Sequence, residues 1–152
     1  MVRLIPKMGI DSSPLQDLQD YNKMTTIQTD LKALNAEFAN LDFQDRIKRL
    51  YEYFPVEEVL FTSSFGTKSV VMLTLVSRGN MNQVVHMLNT GYHFPETLAY
   101  KETLKELTGL PIAEIHPDPK RHQQTLEGRM WETQSSRCCH YNKVLPLREV
   151  KA

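Results

Sequence analysis

Residues 59–76 read VLFTSSFGTKSVVMLTLV, and this stretch decides the fold. Its apolar run Val59-Leu60-Phe61 is followed by a small polar stretch, and residues 70–76 then carry the apolar positions of a buried helix. A strand, a loop and a helix are therefore predicted in that order.

A second unit of the same kind follows, and after it a third strand. The run Val84 to Leu88 precedes a polar turn, and Pro95 begins a helix that Gly109 closes. The third strand is expected at Ile112 to Ile115. Short apolar strands separated by helices predict an α/β fold with an open parallel sheet and helices on both faces. The apolar face of the helix after Pro95 is predicted to consist of Leu98, Leu104 and Leu107.

The flanking regions are less regular. Residues 1–25 show no sustained period and are predicted to form an N-terminal tail, so that one domain extends over residues 26–152. Phe43 to Phe54 predicts an amphipathic helix, whereas residues 116–131 show no clear period. Residues 145–150 resemble the start of a helix, and three strands would leave an open edge, so the domain is expected to be incomplete at its C-terminus.

Charge and cysteine content exclude several classes of protein. The 18 basic and 18 acidic residues cancel, so no overall field attracts nucleic acid or an anionic membrane. No apolar stretch approaches the roughly 20 residues that span a bilayer, and no signal peptide is visible. Two adjacent cysteines, Cys138 and Cys139, do not make the disulfide framework of a secreted domain. We expect a cytoplasmic protein that binds neither nucleic acid nor membrane.

The loop after the first strand is a candidate anion site. It lies between the carboxyl end of a strand and the N-terminus of a helix, where open α/β sheets bind phosphate or sulfate. Glycine permits close approach of the backbone, hydroxyl groups donate hydrogen bonds, and a lysine adds positive charge. The same residues are also typical of a turn and helix cap, and they do not match the Walker phosphate loop. The predicted binding residues are Ser63, Ser64, Phe65, Gly66, Thr67, Lys68 and Ser69.

A second loop, Leu88-Asn89-Thr90-Gly91, follows the next strand. Because the carboxyl ends of parallel strands meet at one edge of a sheet, both loops are expected to border one crevice. Thr90-Gly91 is equally suited to an ordinary turn, and Pro95 and Glu96 are favourable at any helix N-terminus.

Three interpretations compete for the pair Cys138 and Cys139. The thiols can ligate a metal or a cluster, but an iron–sulfur cluster held by cysteine takes four thiolates. A zinc site with histidines such as His116, His122 or His140 lacks the usual ligand spacing. Both cysteines can instead be small apolar residues within a helix.

Taken together, three motifs resemble those of the assimilatory sulfonucleotide reductases. They are SSFG at 63–66, LNTGYHFPET at 88–97, and CC at 138–139 followed by KVLP at 143–146. The family pattern has a serine-rich SFG loop, a DTGxxFPET motif and a KVEP motif, with a Cys-Cys pair in the branch that uses adenylyl sulfate. The resemblance covers roughly residues 40–152. It implies an adenine-nucleotide α-hydrolase-like, Rossmann-like fold, here truncated at the C-terminus, in which residues 26–152 bind the nucleotide.

The resemblance also implies an activity, namely reduction of adenylyl sulfate or phosphoadenylyl sulfate to sulfite in sulfate assimilation, with release of AMP or adenosine bisphosphate. The first loop would bind the phosphosulfate, residues 88–91 the adenine and ribose, and Lys143 the sulfate end. Cys138 and Cys139 would supply two of the four ligands of a [4Fe–4S] cluster, and no Mg²⁺ would be required. A cysteine on a C-terminal tail would attack the sulfur, and thioredoxin or glutaredoxin would release sulfite. Since that cysteine is absent from these residues, the chain alone is expected to be inactive. A homo-oligomer is possible, and the sequence leaves the oligomeric state open.

Two positions depart from the family pattern, because Asn89 replaces an aspartate and Leu145 replaces a glutamate. The Cys-Cys pair favours adenylyl sulfate as substrate, whereas Asn142 is similar to the cluster-free branch, which prefers the substrate with the extra phosphate. Two other functions stay open. One is an ATP pyrophosphatase or adenylyl transferase, which would bind Mg²⁺ with ATP. The other is a non-catalytic nucleotide-binding module.

Overall fold

The computed structural model describes residues 31–151. Residues 31–39 are helical (α1), while the predicted tail over 1–25 lies outside the described residues. The further elements, in chain order, are helix α2 (Phe43–Tyr53), a 3₁₀ turn (Val56–Glu58), strand β1 (Phe61–Thr62), helix α3 (Ser69–Gly79), strand β2 (Val85–Leu88), helix α4 (Pro95–Thr108), strand β3 (Ile112–Ile115), helix α5 (Pro119–Glu127), helix α6 (Met130–Thr133), helix α7 (Ser135–Cys139), a π-helical turn (His140–Val144) and helix α8 (Leu145–Lys151).

The three strands form one parallel sheet in the order β1-β2-β3. Phe61 pairs with Val85, and Val85 pairs with Ile112 on its other side. This confirms the predicted α/β fold with an open parallel sheet. Because all strands run in the same direction, their carboxyl ends, with the loops that follow β1 and β2, lie at one edge of the sheet.

The helix boundaries follow the local cap signals. Asp42 precedes α2 and its carboxylate accepts a hydrogen bond from the Asp45 N–H at 2.8 Å. Helix α4 begins with Pro95 and ends at Gly109, which adopts the left-handed conformation with φ of 68°. Both helices were predicted from the sequence. No helix within residues 31–151 is long and apolar enough to cross a membrane.

The core lies between the sheet and helices α2, α3 and α4, and two predictions about it are wrong. Leu107 was assigned to the buried face of α4 but is 66% exposed, because that face is formed by Lys101, Leu104 and Thr108. Helix α3 was predicted to be buried, yet Val71 is 63% exposed. A helix that packs on one side buries only one stripe of its surface. The buried apolar cluster comprises Ile47, Phe61, Phe65, Leu73, Val76, Val85, Met87, Leu104 and Leu110.

Two segments differ from the predicted elements. The first strand was expected at 59–61, but only Phe61 and Thr62 pair with β2. The 3₁₀ turn ends at Glu58, and Val59 donates its N–H back to the Val56 carbonyl at 3.2 Å. Residues 116–131 were expected to be irregular, yet α5 forms there. The carboxylate of Asp118 caps this helix by accepting a hydrogen bond from the Arg121 N–H at 3.0 Å, and Pro119 starts it. The cap signal was present, although the apolar period was not.

Helical structure is almost continuous from Ser135 to Lys151, with one irregularity at its centre. The turn His140–Val144 is π-helical and is followed by Pro146, the second residue of α8. Proline has no N–H group for the usual bond to the fourth preceding carbonyl, which accounts for a wider turn at this point. The predicted helix start at 145–150 is confirmed as α8.

Candidate functional site

The first loop continues directly from β1 and is held by its own serine side chains. The Ser63 N–H donates to the carbonyl of His86 on β2 at 3.0 Å. The Ser63 hydroxyl accepts a hydrogen bond from the Phe65 N–H at 3.1 Å and lies 3.3 Å from the Ser69 hydroxyl. Phe65 itself is buried and adopts a φ of 52°, which is uncommon for a residue with a side chain. The loop is therefore fixed to the rest of the fold at Ser63 and Phe65 on one side and at Ser69 on the other, and the residues between them are open to solvent.

Between these anchors, Ser64, Gly66, Thr67 and Lys68 are exposed to solvent. They lead into the first turn of α3, whose backbone N–H groups have no partner inside the helix. No side chain caps this helix, because Lys68 occupies the cap position. An exposed arrangement of hydroxyls, one ammonium group and helix N–H groups can bind a multiply charged anion.

Gly66 is a glycine that the fold itself does not require. Its φ lies outside the left-handed region, and an added Cβ would meet only the Ser64 hydroxyl, at 3.9 Å. Alanine would fit this position without strain. A glycine at an open position of this kind leaves room for a molecule that approaches the backbone closely.

The second loop is fixed to the neighbouring strand. The Asn89 N–H donates to the carbonyl of Ile115 at 2.9 Å, and the Asn89 side chain accepts from the Gly91 N–H at 3.2 Å. Thr90 is buried, whereas Gly91 is exposed and has a φ of 75°. Leu88, at the end of β2, accepts a hydrogen bond at its carbonyl from a ring nitrogen of His93 at 2.9 Å. The loop thus turns sharply and presents backbone atoms at the same sheet edge as the first loop.

The asparagine at position 89 is explained by a neighbouring carboxylate. The Asn89 amide donates to Glu114 on β3 at 2.7 Å, and the Lys101 ammonium group contacts the other oxygen of that carboxylate. These two donors, Asn89 first, lower the pKa of Glu114, and the hydrogen bond to Glu114 raises the pKa of Lys101. An aspartate at position 89 would instead place a second carboxylate against Glu114. The neutral amide of Asn89 instead donates a hydrogen bond to the Glu114 carboxylate and adds no like charge beside it.

The cysteine pair occupies two different environments. Cys138 is buried, whereas Cys139 is exposed. The side-chain amide of Asn142 donates to the Cys138 carbonyl at 2.9 Å and lies 3.5 Å from its sulfur. Asn142 is 2% exposed, so the π-helical turn brings a buried polar group against the first cysteine.

Asn142 also connects the cysteine pair to the second loop. Its side-chain oxygen lies 2.9 Å from Nδ1 of His122, and its amide donates to the buried Thr125 hydroxyl at 3.1 Å. The Thr125 hydroxyl lies 2.8 Å from the hydroxyl of Tyr92, which follows Gly91 directly. A chain of hydrogen bonds therefore runs from Cys138 to the loop at the end of β2.

The predicted site residues are thus brought together only in part. The loops over 63–69 and 88–91 border one edge of the sheet, and Cys138 joins the second loop through buried side chains. Lys143 is exposed in the π-helical turn, next to Asn142, and Cys139 is exposed one turn earlier. Sequence patterns gave no role to Glu114, Thr125 or Tyr92; His122 was considered only as a zinc ligand.

No group of three or more histidine, cysteine, aspartate or glutamate side chains in the described part of the chain is arranged to hold a metal ion. The predicted zinc alternative with Cys138, Cys139 and nearby histidines therefore has no geometric support among residues 31–151. Cys138 and Cys139 are both free cysteines, and the side-chain amide of Asn142 lies 3.5 Å from the sulfur of Cys138. Thiolates are the usual protein ligands of iron in iron–sulfur clusters, and hydrogen bonds to the ligand sulfurs are common there, so the pair is chemically suited to supply two of the four ligands of such a cluster.

A concave surface outside this edge does not involve the predicted residues. It is lined by Glu102, Lys105, Glu106, Gly109, Leu110 and Pro111, at the end of α4 and the start of β3. This is the amino end of β3, opposite the edge where ligands bind in open parallel sheets. The loop geometry, rather than this hollow, marks the candidate site.

Comparison with known proteins identifies the class to which this fold and site belong. Residues 58–151 match the sequence profile of the phosphoadenosine phosphosulfate reductase domain. The chain belongs to this family. The matched region includes both loops, the cysteine pair and the π-helical turn.

Three curated relatives show how far the similarity extends. The chain is 32% identical to adenosine 5'-phosphosulfate reductase 2 of Bacillus subtilis (72% of this chain, 47% of that protein) and 35% identical to phosphoadenosine 5'-phosphosulfate reductase of Thiocapsa roseopersicina (75% and 48%). It is 34% identical to phosphoadenosine 5'-phosphosulfate reductase of Xanthomonas oryzae pv. oryzae, covering 95% of this chain and 56% of that protein. The chain spans about half the length of these relatives.

A solved structure confirms the fold. The crystal structure of phosphoadenylyl-sulfate reductase from Candida auris, a phosphate complex, superposes with a TM-score of 0.66 at 21% sequence identity. The match covers 80% of this chain and 61% of that one. The open parallel sheet described above is therefore the sheet of this family.

Proposed function

We propose that the crevice between the two loops binds an adenine sulfonucleotide and that the chain is the nucleotide-binding part of a reductase that converts its sulfate group to sulfite. The observation that carries this proposal is Gly66, which stands in an anchored, solvent-open loop although the fold does not require a glycine there. Membership of the family supports the same ligand class over an ATP-using enzyme.

Each loop is assigned a role that its geometry supports, and Lys143 is assigned the role that the resemblance implies. Residues 63–69 bind the phosphosulfate through hydroxyls, the Lys68 ammonium group and the N–H groups of the first turn of α3 that follow Ser69, whose own N–H donates to the Gly66 carbonyl at 2.8 Å. Residues 88–91 contact the adenine and ribose mainly through backbone atoms, so that Asn89 in place of an aspartate is compatible with binding. Lys143 neutralises the sulfate end. The Cys-Cys pair favours adenylyl sulfate over the form with the extra phosphate.

The proposed reaction is a two-electron reduction of sulfur. The thiolate of a further cysteine, on the C-terminal tail that the resemblance implies and not Cys138 or Cys139, attacks the sulfate sulfur. The bond from sulfur to the bridging phosphate oxygen breaks, and AMP leaves with that oxygen. A thiol of thioredoxin or glutaredoxin then attacks the cysteine sulfur and releases sulfite, leaving a disulfide as the oxidised product. Positive groups near the sulfate disperse the negative charge that would otherwise repel the thiolate. Such dithiol chemistry belongs in a reducing compartment such as the cytoplasm.

The cysteine pair is proposed to hold one half of a [4Fe–4S] cluster. Cys138 and Cys139 supply two thiolates, and the other two come from outside residues 31–151. The test is iron and acid-labile sulfide analysis of the native gene product purified without oxygen. Cys138→Ser and Cys139→Ser should each abolish stoichiometric iron, whereas the wild type should contain four irons per chain. Equal iron contents in the wild type and both variants would contradict this assignment.

The binding proposal is tested with Gly66→Ala and titration of adenylyl sulfate or AMP by calorimetry. We expect an unchanged melting temperature and at least a tenfold weaker affinity for adenylyl sulfate, because the methyl group occupies the space that the phosphosulfate needs. Gly109→Ala is the matched control. Its φ of 68° and an added Cβ that would lie 2.9 Å from Met81 should lower stability while leaving the affinity of the folded protein unchanged. Equal affinity of Gly66→Ala and the wild type would remove the main support for the proposal.

A further inference from the structure

His122 lies between the second loop and the cysteine pair. Its Nδ1 atom is 2.9 Å from the side-chain oxygen of Asn142. On the other side of the ring, Nε2 lies 2.9 Å from the position that a Cβ of residue 91 would occupy. The Tyr92 ring packs edge-on against the imidazole with a centroid separation of 5.4 Å. The imidazole thus lies against the backbone of Gly91, and Asn142 and Tyr92 fix its position.

The surrounding hydrogen bonds determine which ring nitrogen carries the proton. The Cys138 carbonyl can only accept, so the atom of Asn142 that lies 2.9 Å from it must be the amide nitrogen. The side-chain oxygen of Asn142 therefore faces His122 and accepts from Nδ1–H. In the neutral imidazole, Nε2 is then left as a bare acceptor.

Nothing in the described part of the chain satisfies this acceptor. Within residues 31–151, Nε2 of His122 has no hydrogen-bond partner, and the side chain is only partly buried. The atom adjoins Gly91, which is the one exposed residue among 88–91. An adenine nucleoside offers the matching donors, namely the ribose hydroxyls and the exocyclic amino group.

We infer that His122 is a nucleotide-contacting residue whose Nε2 accepts a hydrogen bond from the nucleoside bound at residues 88–91. Asn142 is the positioning residue that holds the ring in this tautomer. The inference rests on the proposed function, because it requires the nucleoside to lie against the second loop. It adds a side-chain contact to a loop that is proposed to bind the nucleoside mainly through backbone atoms.

The test compares two amide substitutions at position 122. The amide of asparagine reaches the place of Nδ1, and that of glutamine reaches the place of Nε2. His122→Asn should therefore keep the bond to Asn142, retain the wild-type melting temperature and weaken AMP binding about fivefold, the cost of one neutral hydrogen bond. His122→Gln should bind AMP within about twofold of the wild type but melt at a lower temperature.

A histidine with a purely structural role would give the opposite pattern. His122→Asn would then bind AMP as tightly as the wild type, and this result would overturn the inference. His116→Asn serves as the matched control, since His116 is exposed at the same end of the sheet and pairs with Glu114 at 3.2 Å. Its affinity for AMP should not change.

Two further ligands identify the donor on the nucleoside. If the amino group donates, inosine monophosphate, which lacks that group, should bind the wild type about fivefold more weakly than AMP does. Its affinity for His122→Asn should then equal its affinity for the wild type. If a ribose hydroxyl donates, 2'-deoxy-AMP or 3'-deoxy-AMP should show that pattern instead. If His122→Asn weakened the binding of all these ligands by the same factor, the proposed contact would be overturned. Failure of the wild-type chain to bind AMP would overturn the proposed function and this inference together. Tight AMP binding with the same affinity in the wild type and in the variants at position 122 would overturn the inference alone.

Discussion

The side-chain amide of Asn142 donates to the carbonyl of Cys138 at 2.9 Å and lies 3.5 Å from its sulfur. The same amide reaches the buried Thr125 hydroxyl, and its oxygen faces His122. One asparagine therefore fixes the end of α7, the middle of α5 and, through Thr125 and Tyr92, the second loop. A buried polar group with this many partners is costly to remove, because each partner loses its bond.

We expect Asn142→Leu to lower the free energy of unfolding by about 2–3 kcal/mol, since leucine has a similar volume but leaves Nδ1 of His122 without its partner and removes one hydrogen bond from buried Thr125. Urea unfolding followed by circular dichroism measures this change. Asn82→Leu is the control, because Asn82 is exposed. A loss in Asn142→Leu no greater than that in Asn82→Leu would show that the buried network contributes nothing to stability.

Gly91 is subject to two constraints, which can be separated. Its φ of 75° disfavours any side chain, and a Cβ there would lie 2.9 Å from Nε2 of His122. Gly91→Ala should therefore lower the free energy of unfolding by about 2–3 kcal/mol, of which about 1–2 kcal/mol comes from the backbone conformation.

The steric part should be relieved in the double variant Gly91→Ala/His122→Ala. We expect the two substitutions to be non-additive by about 1 kcal/mol in a double-mutant cycle. Gly66→Ala serves as the reference for a glycine with room and an ordinary φ, and its stability should stay within about 0.5 kcal/mol of the wild type. Strict additivity at positions 91 and 122 would show that the imidazole moves aside freely.

The Asn89–Glu114 pair predicts a pH dependence. Hydrogen bonds from Asn89 and Lys101 lower the pKa of Glu114, so the stability that they contribute is complete above the ordinary carboxyl pKa and is lost as the pH falls through the lowered one. Asn89→Asp replaces a donor by a like charge and should cost about 1 kcal/mol at pH 7 for this partly exposed pair. The difference from the wild type should shrink below about pH 4, when the carboxylates become protonated.

The measurement is urea unfolding at several pH values between neutrality and the acid transition. Asn82→Asp makes the same chemical change at an exposed position and should leave stability nearly unaltered at every pH. A cost of Asn89→Asp that is independent of pH would exclude repulsion with Glu114 as its cause.

The sequence predicted those parts of the fold that local signals determine. Strand β3, the start of α4 at Pro95 and its end at Gly109 follow from apolar runs and cap residues. The exposure of Leu107 did not follow, because burial depends on which stripe of α4 faces the sheet. Helix α5 was not predicted because its sequence shows no apolar period, although Asp118 provides a cap signal at its start.

The candidate site was predictable only where a motif is continuous in sequence. The loops over 63–69 and 88–91 were located because each follows an apolar strand. The network of Tyr92, His122, Thr125 and Asn142 joins residues that lie up to 50 positions apart in sequence, and it depends on a π-helical turn. No periodicity indicates such a turn, and only the proline that follows it gives a local physical reason.

Tyr51 supplies a prediction at alkaline pH that is independent of the candidate site. Its hydroxyl donates to the side chain of the buried Gln83 at 2.8 Å, and burial raises the pKa of Tyr51 to about 12. The folded state therefore holds this proton more tightly than the unfolded state does. The stability linked to Tyr51 is complete below about pH 10, the ordinary tyrosine pKa, and is lost as the pH rises from about 10 to 12.

For a half-buried group screened by solvent, this loss should amount to about 1 kcal/mol. Ultraviolet titration of the phenolates, with unfolding measured at each pH, tests the expectation. Tyr51→Phe should remove the ionisation near pH 12 and flatten the decline in stability above pH 10, whereas Tyr100→Phe, which leaves the Tyr51–Gln83 contact in place, should not flatten that decline. If Tyr51→Phe and the wild type lose stability in parallel over this range, the alkaline transition arises from other groups, and the Tyr51–Gln83 contact exchanges with water.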